Sequence, residues 1–433
     1  MRFASSFRVV AYVTVFLSGC GGGGGGSGGE GQRACASALH NGATPSTVTS
    51  VWRCSGPASG EFDFVLFADG HGQSSAIGEF SWTEQTCGTV AVSASVPQTI
   101  TNIQIASDLG SGSFTTTQAN GSDSISCTRQ ASVPDERQDH VIAYLSDTQK
   151  IVMFGGSVSF GTNSKVISDT WEFDGAAWSQ INQAPTPPAM FRPAMAYDHT
   201  RNVAVLFGSP VGGSTTETWE YKAGQWSQRT FSISPPVRSY HAMTFDSLRN
   251  VMVVFGGRNK ADGGGSSIYD TWEYDGVEWV ERPSSSDPCA SGATPLTPCM
   301  RYGALMAYDQ SRARSVLHGQ VWQSGAYVSG TYEWDGSVWT EALVPGGSLP
   351  GNAATMTYDK NRQVTVLANP PVANYSPRIW EWNGASWTDT LQTFPQDGAM
   401  VFHDALGQAV LVGRAMRVDI WNGTTITNVW SGP

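Results

Sequence analysis

Four arginines stand at comparable places along the chain and could together bind an anionic group. Arg137, Arg238 and Arg301 each lie seven residues before an aromatic residue of a recurring segment, and Arg192 lies five before another. A guanidinium offers a planar fork of N–H donors that matches carboxylate and phosphate oxygens. If the recurring segments stand side by side, these arginines would ring one opening. The alternative is that each arginine bonds loop carbonyls within its own segment.

Two histidines and two aromatic residues are further binding candidates. His140 and His241 occupy the same position of the recurring segment, but no carboxylate or cysteine stands at metal-ligand spacing beside them. Hydrogen-bonded wall residues are therefore favoured over a metal site, and we predict no metal. Trp322 and Tyr327 lie in an insertion, where they could stack on a sugar or grip a peptide, or simply pack their own loop.

The elements that must position these residues are written as a repeat. A ten-residue stretch occurs five times, as DTWEFDGAAW, ETWEYKAGQW, DTWEYDGVEW, GTYEWDGSVW and RIWEWNGASW, and decays in a sixth copy to DIWNGTTI. Each copy follows a second segment such as SYHAMTFDSLRNVMVVFGG. In that segment ten residues separate an aromatic or histidine from the residue opening the Gly-Gly position. The aligned aromatics or histidine are Tyr144, Tyr197, Phe245, Tyr308, Tyr358 and His403.

This repeat resembles the kelch repeat, in which hydrophobic residues precede Gly-Gly and two spaced aromatics follow. The third unit divides into four short strands, HAMTF, VMVVF, TWEY and EWVE, and repeats of 40–50 residues are typical of propellers. The resemblance implies a six-bladed all-β propeller over residues 137–433, with the first strand of each blade innermost. It covers about two-thirds of the chain.

What recurs in every unit is interpreted as architecture. The two aromatics of TWEY lie on one face of a strand and can pack between blades. Asp-Gly supplies a tight turn, and the recurring Asp…Arg pair, such as Asp246 and Arg249, is read as a turn cap with an exposed ion pair. The repeated Glu, such as Glu273, is read as a requirement of blade geometry rather than as an acid ring.

A binding site is expected where the repeats differ. The turns after the first and third strands share one rim and are nearly constant in length. The opposite rim varies, with insertions at 157–168, 258–270 and 320–330 and a long blade-to-blade loop at 281–300. Cys289 and Cys299 are predicted to form a disulfide that stiffens this loop. We predict that the variable rim binds a ligand.

Known catalytic patterns are missing from the sequence. It contains no Gly-x-Ser-x-Gly, no His-Glu-x-x-His and no phosphate-binding loop. DTWEYDG lacks the Ser-x-Asp-x-Gly-x-Thr-Trp order of the sialidase Asp-box, and the copper ligands of the related galactose oxidase propeller cannot be placed. We therefore predict no catalytic residue and no cofactor, and a protein that is not an enzyme is favoured over a carbohydrate-active enzyme.

The N-terminus is interpreted as a secretory signal followed by a tether. Arg2 and Arg8 precede an apolar run too short to span a bilayer, and Leu17-Ser18-Gly19-Cys20 resembles a bacterial lipobox. We predict a signal peptide at 1–19, lipidation of Cys20, and a Gly-rich tether at 20–31. Gly21 in place of Asp favours the outer membrane of a Gram-negative bacterium.

Residues 32–131 are predicted to form a separate module. Short alternating runs between Gly, Asp and Asn turns indicate strands. Four cysteines in about 100 residues fit a small disulfide-containing β-sandwich. Its pairing is open among Cys35, Cys54, Cys87 and Cys127. The module could be a spacer, a lid or a second binder.

The charge balance narrows the class of partner. Without the signal, the chain has 23 basic and 36 acidic residues, a net charge of −13. This charge argues against nucleic acid as a partner, because its phosphates would be repelled. We expect a monomer that touches the membrane only through its lipid and binds a protein or glycan at the cell envelope. A structural envelope component is the other alternative.

Overall fold

The structure, a computed structural model, describes nine N-terminal strands as backbone only and most of the chain after residue 133 with side chains. The fully described residues are 134, 136–158, 165–259, 265–282, 298, 303–320, 329–342, 350–351, 355–369, 378–394 and 397–431. Residues 159–160, 163–164, 321–323 and 326–328 are described as strand backbone. The chain divides into two units, 1–133 with 159–169 and 182–186, and 134–158 with 170–181 and 187–433.

The first unit contains nine strands joined in one closed sheet, in the order β1-β6-β5-β4-β3-β2-β9-β8-β7. The strands are β1 (Val10–Leu17), β2 (Val48–Gly56), β3 (Gly60–Phe67), β4 (His71–Ser74), β5 (Gly78–Thr86), β6 (Thr89–Ser95), β7 (Thr99–Ile105), β8 (Ser111–Gln118) and β9 (Gly121–Arg129). β1 coincides with the apolar run of the predicted signal. The side chains of all seven cysteines lie outside the described residues, so the predicted disulfides and lipidation stay predictions.

The second unit is an all-β propeller of six blades, each a four-stranded antiparallel sheet of consecutive strands. Blades 1 to 3 comprise β10 (Val141–Leu145), β11 (Lys150–Phe160), β12 (Asn163–Phe173), β13 (Trp178–Ile181); β14 (Ala194–Asp198), β15 (Val203–Gly208), β16 (Glu217–Lys222), β17 (Gln225–Arg229); β18 (Ala242–Asp246), β19 (Val251–Arg258), β20 (Ser267–Tyr274) and β21 (Trp279–Arg282). Blades 4 to 6 comprise β22 (Leu305–Asp309), β23 (Arg314–Gln323), β24 (Ala326–Trp334), β25 (Trp339–Glu341); β26 (Thr355–Asp359), β27 (Val364–Ala368), β28 (Ile379–Trp382), β29 (Trp387–Asp389); β30 (Gly398–His403), β31 (Gln408–Gly413), β32 (Val418–Trp421) and β33 (Ile426–Trp430).

The first strand of every blade is innermost, and the six innermost strands form a ring around the central channel. Each contacts the first strand of the next blade, and β10 contacts β30 to complete the ring. No strand is exchanged between the first and last blades. The chain closes instead through side chains, including Tyr144 on His403 with ring centroids 4.1 Å apart. The predicted number of blades, strand count and innermost strand are therefore confirmed.

Strand alternation explains the core, because successive side chains point to opposite faces and each face of a blade meets a neighbour. Between blades 2 and 3, for example, Val205 and Phe207 pack against Met243, Phe245 and other buried residues of blade 3. The core is thus six apolar seams rather than one centre.

Hydrogen bonds between polar groups of the repeat cross the seams at regular places. A tryptophan of the fourth strand donates Nε1–H to a threonine of the preceding blade's third strand, at 2.8–3.0 Å. These pairs are Trp226–Thr170, Trp279–Thr218, Trp339–Thr271 and Trp387–Thr331. An aromatic residue of the third strand likewise donates to the repeated Glu of the preceding blade. These pairs are Tyr221–Glu172, Tyr274–Glu220, Trp334–Glu273, Trp382–Glu333 and Trp421–Glu381. The repeated Glu is therefore a seam residue, as its architectural interpretation requires.

The recurring Asp…Arg pair is not the exposed ion pair that the sequence suggested. In blade 3, Arg249 donates to Asp246 at 2.7 Å and to Glu273 at 2.5 Å, and both carboxylates are buried. Blades 2, 4 and 5 repeat this three-residue network with Arg201, Arg312 and Arg362. The turn cap is confirmed, since Asp246 Oδ1 accepts from the amides of Leu248 and Arg249. The exposed ion pair was wrong, because the spacing of Asp and Arg along the chain does not reveal that a Glu from the third strand of the same blade joins the pair and is buried with the Asp.

In blades 3 and 4 the glycine of the Asp-Gly turn is required by the blade before it. Gly276 has φ +92°, and a Cβ there would lie 2.7 Å from the guanidinium of Arg201 in blade 2. Gly336 has φ +100° and meets Arg249 in the same way. These two turns thus need glycine both for their left-handed backbone and for contact with an arginine of the neighbouring blade.

The strand register corrects the alignment of the last blade by one residue. His403 pairs with Gln408 across a four-residue turn, as Asp309 pairs with Arg314 in blade 4. His403 therefore occupies the position of the capping Asp, and its Nδ1 accepts from the amide of Leu406 at 3.3 Å. Phe402 is the residue equivalent to the aligned aromatics.

The seam between blades 6 and 1 lacks both recurring hydrogen bonds. By register, Val418 and Ile420 occupy the places that Thr331 and Glu333 hold in blade 4. The buried Nε1 of Trp178 consequently has no hydrogen-bond partner in the described part of the chain. At these two repeat positions the seam is joined by apolar packing, through Phe173, Trp178, Val418 and Ile420.

Substitution Val418→Thr is expected to stabilise the ring, because its hydroxyl would accept the orphan Trp178 N–H. A satisfied buried hydrogen bond contributes about 1 kcal/mol. Urea unfolding followed by tryptophan fluorescence measures the change. The matched control is Thr271→Val, which removes the equivalent bond to Trp339 and should destabilise by about 1 kcal/mol. A Val418→Thr protein less stable than the parent would contradict the expectation.

Candidate functional site

A cavity of about 660 Å³ lies where the six innermost strands begin, at one end of the channel. This end belongs to the variable rim, because the blade-to-blade loops enter the innermost strands there. The cavity is lined by the first residues of those strands, Val141, Ala194, Ala242, Leu305, Thr355 and Gly398. The innermost strands pair on one side only, so their channel-side edges have no strand partner. Backbone N–H and C=O groups therefore face the ligand space.

One repeat position contributes to the cavity lining from five of the six blades. It lies two residues before the aligned strand start and is filled by Asp139, Arg192, Tyr240, Gly303 and Asp397, all of which line the cavity. In the first four of these the backbone is left-handed, with φ of 61°, 49°, 61° and 70°. Arg and Tyr rarely adopt this conformation. Equivalent backbone geometry with different side chains gives each blade its own contribution to the cavity.

Arg192 is held between two neighbouring blades. Its Nη2 lies 2.8 Å from Oδ1 of Asp139, and its guanidinium carbon lies 4.5 Å from the centroid of the Tyr240 ring. A cation over an aromatic face is attracted by the ring quadrupole. Burial raises the pKa of Asp139, the Arg192 cation opposes that rise, and the Asp397 charge adds to it. Both carboxylates line the cavity, on the neighbouring blades 1 and 6.

The mouth has mixed charge rather than the positive focus that the arginine positions suggested. Three described arginines line the cavity: Arg192 pairs with Asp139, Arg414 lies 3.1 Å from Glu136, and Arg137 donates to a backbone carbonyl. Asp397 adds a further carboxylate. Among the described residues that line the cavity there are thus three arginines and two aspartates, and two of the arginines have acidic partners.

Arg238 lies behind the wall and does not reach the mouth. Its side chain is 0% exposed, and it donates to both carboxylate oxygens of Asp270 at 2.6 and 2.7 Å. It also donates to the carbonyls of Pro236 and Gly256. The competing interpretation, that each arginine ties down its own blade, therefore describes Arg238. Direct ligand contact by this guanidinium would require the blade to open.

Arg137 follows the same pattern in blade 1. It is 1% exposed and donates to the carbonyl of Gly155 at 3.1 Å, the counterpart of Gly256. Of the four arginines proposed from the sequence, Arg137 and Arg192 line the cavity, and Arg192 is the more exposed of the two, at 41%. Arg301 lies outside the described residues.

His140 and His241 are buried wall residues that bridge blades. His140 Nε2 lies 3.1 Å from the carbonyl of Val412 in blade 6, and His241 Nε2 lies 3.2 Å from that of Phe207 in blade 2. Burial lowers the pKa of His241 to about 3, and the nearby Arg238 charge adds to the effect. His241 is therefore neutral, with its proton on the Nε2 that faces the carbonyl oxygen.

The remaining sequence candidates are placed only in part. The backbone register of blade 4 sets Trp322 opposite Tyr327 at the end of the β23–β24 hairpin. Their side chains, and Cys289 and Cys299, lie outside the described residues.

Sequence reasoning missed Asp139, Tyr240, Gly303, Asp397 and Arg414, which line the mouth. The signal was present as a column of the repeat that reads Asp, Arg, Tyr, Gly, Ala and Asp from blade 1 to blade 6. This position changes from blade to blade, although it stands directly before a strand that every blade has. Such variation favours contact with a ligand over a role in maintaining the fold.

The described residues include no group of three or more His, Cys, Asp or Glu side chains that could hold a metal ion. No helix in that part of the chain is long and apolar enough to cross a membrane. The cavity offers carboxylates, a paired guanidinium, an aromatic ring and backbone edges, which are groups suited to holding a polar ligand.

No protein-family model matches the chain, and no curated protein matches it. Solved structures with a similar fold include YjhT, at 12% identity and a TM-score of 0.45, covering 68% of this chain and 98% of that one. TolB from Acinetobacter baumannii is similar at 11% identity, a TM-score of 0.39, and 77% and 80% coverage. The β-propeller domain of the Trilobed protease from Pyrococcus furiosus is similar at 8% identity, a TM-score of 0.38, and 88% and 98% coverage.

Proposed function

We propose that the chain is an exported, lipid-anchored protein whose kelch-type propeller binds a protein or glycan of the cell envelope through its variable rim. The observation that carries the proposal is the cavity of about 660 Å³ at that rim, lined by a repeat position that differs in nearly every blade. Binding sites of this size hold small ligands or the tip of a larger one.

The N-terminal features complete the proposal. A signal at 1–19, lipid on Cys20 and a Gly-rich tether at 20–31 would hold the folded units near a membrane. Gly21, the residue after Cys20, favours the outer membrane. The module at 32–131 would be a disulfide-containing spacer or second binder, and we propose a monomer.

The binding role needs no reacting group. The mouth residues pair with one another or stack, as Arg192 does with Asp139 and Tyr240. Preorganised partners of this kind lower the entropic cost of binding, because the side chains are already ordered before the ligand arrives.

Substitution Gly303→Trp is expected to block the cavity and abolish binding. A Cβ at Gly303 meets nothing within 4 Å, and the sister positions Arg192 and Tyr240 already carry large side chains on the same left-handed backbone. Full-length protein in mild detergent would be immobilised, and the envelope material that it retains compared with that retained by the variant. We expect retention to fall at least about tenfold, which corresponds to 1.4 kcal/mol.

Two controls separate blocking from side effects. Gly303→Asn shares the backbone strain of about 1 kcal/mol but leaves the cavity open, because Asn tolerates this conformation. Val277→Trp adds the same aromatic residue on the opposite rim, where Val277 is 73% exposed. Both should retain the ligand. Equal retention by the parent and the Gly303→Trp protein would disprove binding at this cavity.

A further inference from the structure

Methionine recurs at one position of the innermost strands, two residues before the aligned aromatic, with Phe402 as the aromatic of blade 6. From blade 1 to blade 6 the position is filled by Ile142, Met195, Met243, Met306, Met356 and Met400. The residue before it varies, as Val, Ala, Ala, Leu, Thr and Ala. The five methionines, which we call the methionine belt, are almost half of the eleven in the chain. Ile142 shows that an aliphatic residue also fits this position, so packing alone does not require methionine.

The methionine belt is accessible from the channel, whereas the other described methionines are not. All five belt side chains line the cavity. Met195 is partly buried, and the other four belt methionines are 5–8% exposed. The remaining described methionines are 0–2% exposed and do not line the cavity; they are Met153, Met190, Met252 and Met416. A small reagent that enters the channel would therefore meet the belt first.

Each belt side chain also packs in a different apolar seam between blades. Met243 belongs to the cluster that contains Val205 and Phe207 of blade 2, and Met356 to the cluster that contains Val316 of blade 4. Met195, Met306 and Met400 belong to three further clusters. The sixth seam, between blades 6 and 1, contains Ile142. A chemical change at the belt sulfurs would therefore act on five of the six seams.

We propose that the methionine belt is a site of reversible oxidation by hydrogen peroxide that enters the channel, and that its oxidation loosens the ring of blades. A thioether sulfur attacks one peroxide oxygen and the O–O bond breaks. The proton of the transferred oxygen passes to the leaving hydroxide, which departs as water. The sulfur loses the two electrons that the peroxide gains, and the product is methionine sulfoxide. Methionine sulfoxide reductases restore the thioether.

The expected loosening follows from the polarity of the sulfoxide. Its oxygen is a hydrogen-bond acceptor, and the apolar side chains of the seam offer it no donor. The belt side chain must therefore leave the seam or carry the oxygen into it. An opened ring would no longer bring the mouth residues together, so oxidation would also switch off binding. This last consequence alone rests on the proposed function.

The test is treatment of the full-length protein in mild detergent with hydrogen peroxide, stopped by catalase. Peptide mass spectrometry then measures the oxygen gained by each methionine. We expect the belt to be oxidised at least about tenfold faster than Met153 and Met252, because peroxide reaches exposed thioethers first. The oxidised protein should melt at least about 2 °C below the untreated protein in calorimetry.

A variant without belt sulfur tests whether the belt causes the change in melting temperature. The variant carries Met195→Leu, Met243→Leu, Met306→Leu, Met356→Leu and Met400→Leu, which keep the core volume. Each protein is compared with its own untreated sample, so the effect of the substitutions on stability cancels. The variant should show no peroxide-induced shift. The matched control combines Met153→Leu with Met252→Leu and should show the full shift of the parent.

The outcomes distinguish this proposal from the proposed function. Oxidation of Met153 and Met252 at the rate of the belt would show that oxidation follows unfolding, and would overturn the site without need of any variant. An oxidised belt with an unchanged melting temperature, or an equal shift in the parent and the fivefold variant, would overturn the loosening of the ring. If Gly303→Trp loses the envelope ligand but the oxidised parent retains it, rim binding stands and control of binding by oxidation is wrong.

Discussion

Substitution Glu273→Ala is expected to lower the free energy of unfolding by about 3–5 kcal/mol, the range found when one member of a buried ion pair is removed. Glu273 is 1% exposed. Its Oε1 accepts from Arg249 at 2.5 Å and from the Trp334 indole at 3.0 Å. Its Oε2 accepts from Nε of Arg282 at 2.7 Å. The loss is large because three donors from two blades lose their acceptor together.

Urea unfolding of the parent and variant, followed by tryptophan fluorescence, measures this loss. Glu273→Gln keeps the shape and one acceptor oxygen, so it should fall between the parent and the alanine protein. Glu281→Ala is the matched control, because Glu281 is an exposed acid in the neighbouring strand β21. A Glu273→Ala loss below about 1 kcal/mol would mean that the network behaves as an exposed salt bridge.

Substitution Arg238→Ala is expected to destabilise the propeller by about 3–5 kcal/mol, whereas Arg192→Ala should cost about 1 kcal/mol or less. The sequence treats the two arginines alike, but Arg238 is 0% exposed and Arg192 is 41% exposed. Removing Arg238 leaves Asp270, 13% exposed, without its cation and leaves the carbonyls of Pro236 and Gly256 without a donor.

A double-mutant cycle with Asp270→Asn tests the cause. Because Asp270 accepts both nitrogens of the Arg238 fork, the two single substitutions should be strongly non-additive. Additive losses would show that the pair contributes little. Ligand binding should be weakened more by Arg192→Ala than by Arg238→Ala, because Arg192 lies at the mouth and Arg238 lies behind the wall. Loss of binding in a folded Arg238→Ala protein with no loss in Arg192→Ala would contradict this placement.

The fold could be predicted from the sequence to the level of blades and strands. Alternation within TWEY, the Asp-Gly turn and the spacing of Gly-Gly are local patterns, and each of them predicts a strand or turn without reference to distant residues. The same local pattern recurs in six units, so a pattern that is weak evidence in one unit is strong evidence when all six are aligned. The same repetition identified the variable rim, because loop length is visible in the sequence.

The set of side chains that line the cavity could not be predicted from the sequence, because contacts between blades determine which side chains reach it. Arg238 and Arg192 differ because one finds Asp270 inside its own blade and the other meets Asp139 and Tyr240 from the two blades beside it. The misplacement of His403 by one residue has the same origin, as only the pairing with Gln408 reveals its register.

The sequence by itself determined that the chain folds into repeated four-stranded blades with one constant and one variable rim, because periodicity and turn chemistry act over a few residues. The tertiary structure alone decided which charges are buried and which face the cavity. Closing six blades into a ring brings together residues about fifty positions or more apart, such as Asp139 with Arg192 and His140 with Val412. In blades 1 to 3 the left-handed backbone before the innermost strand places Asp139, Arg192 and Tyr240 at the same opening.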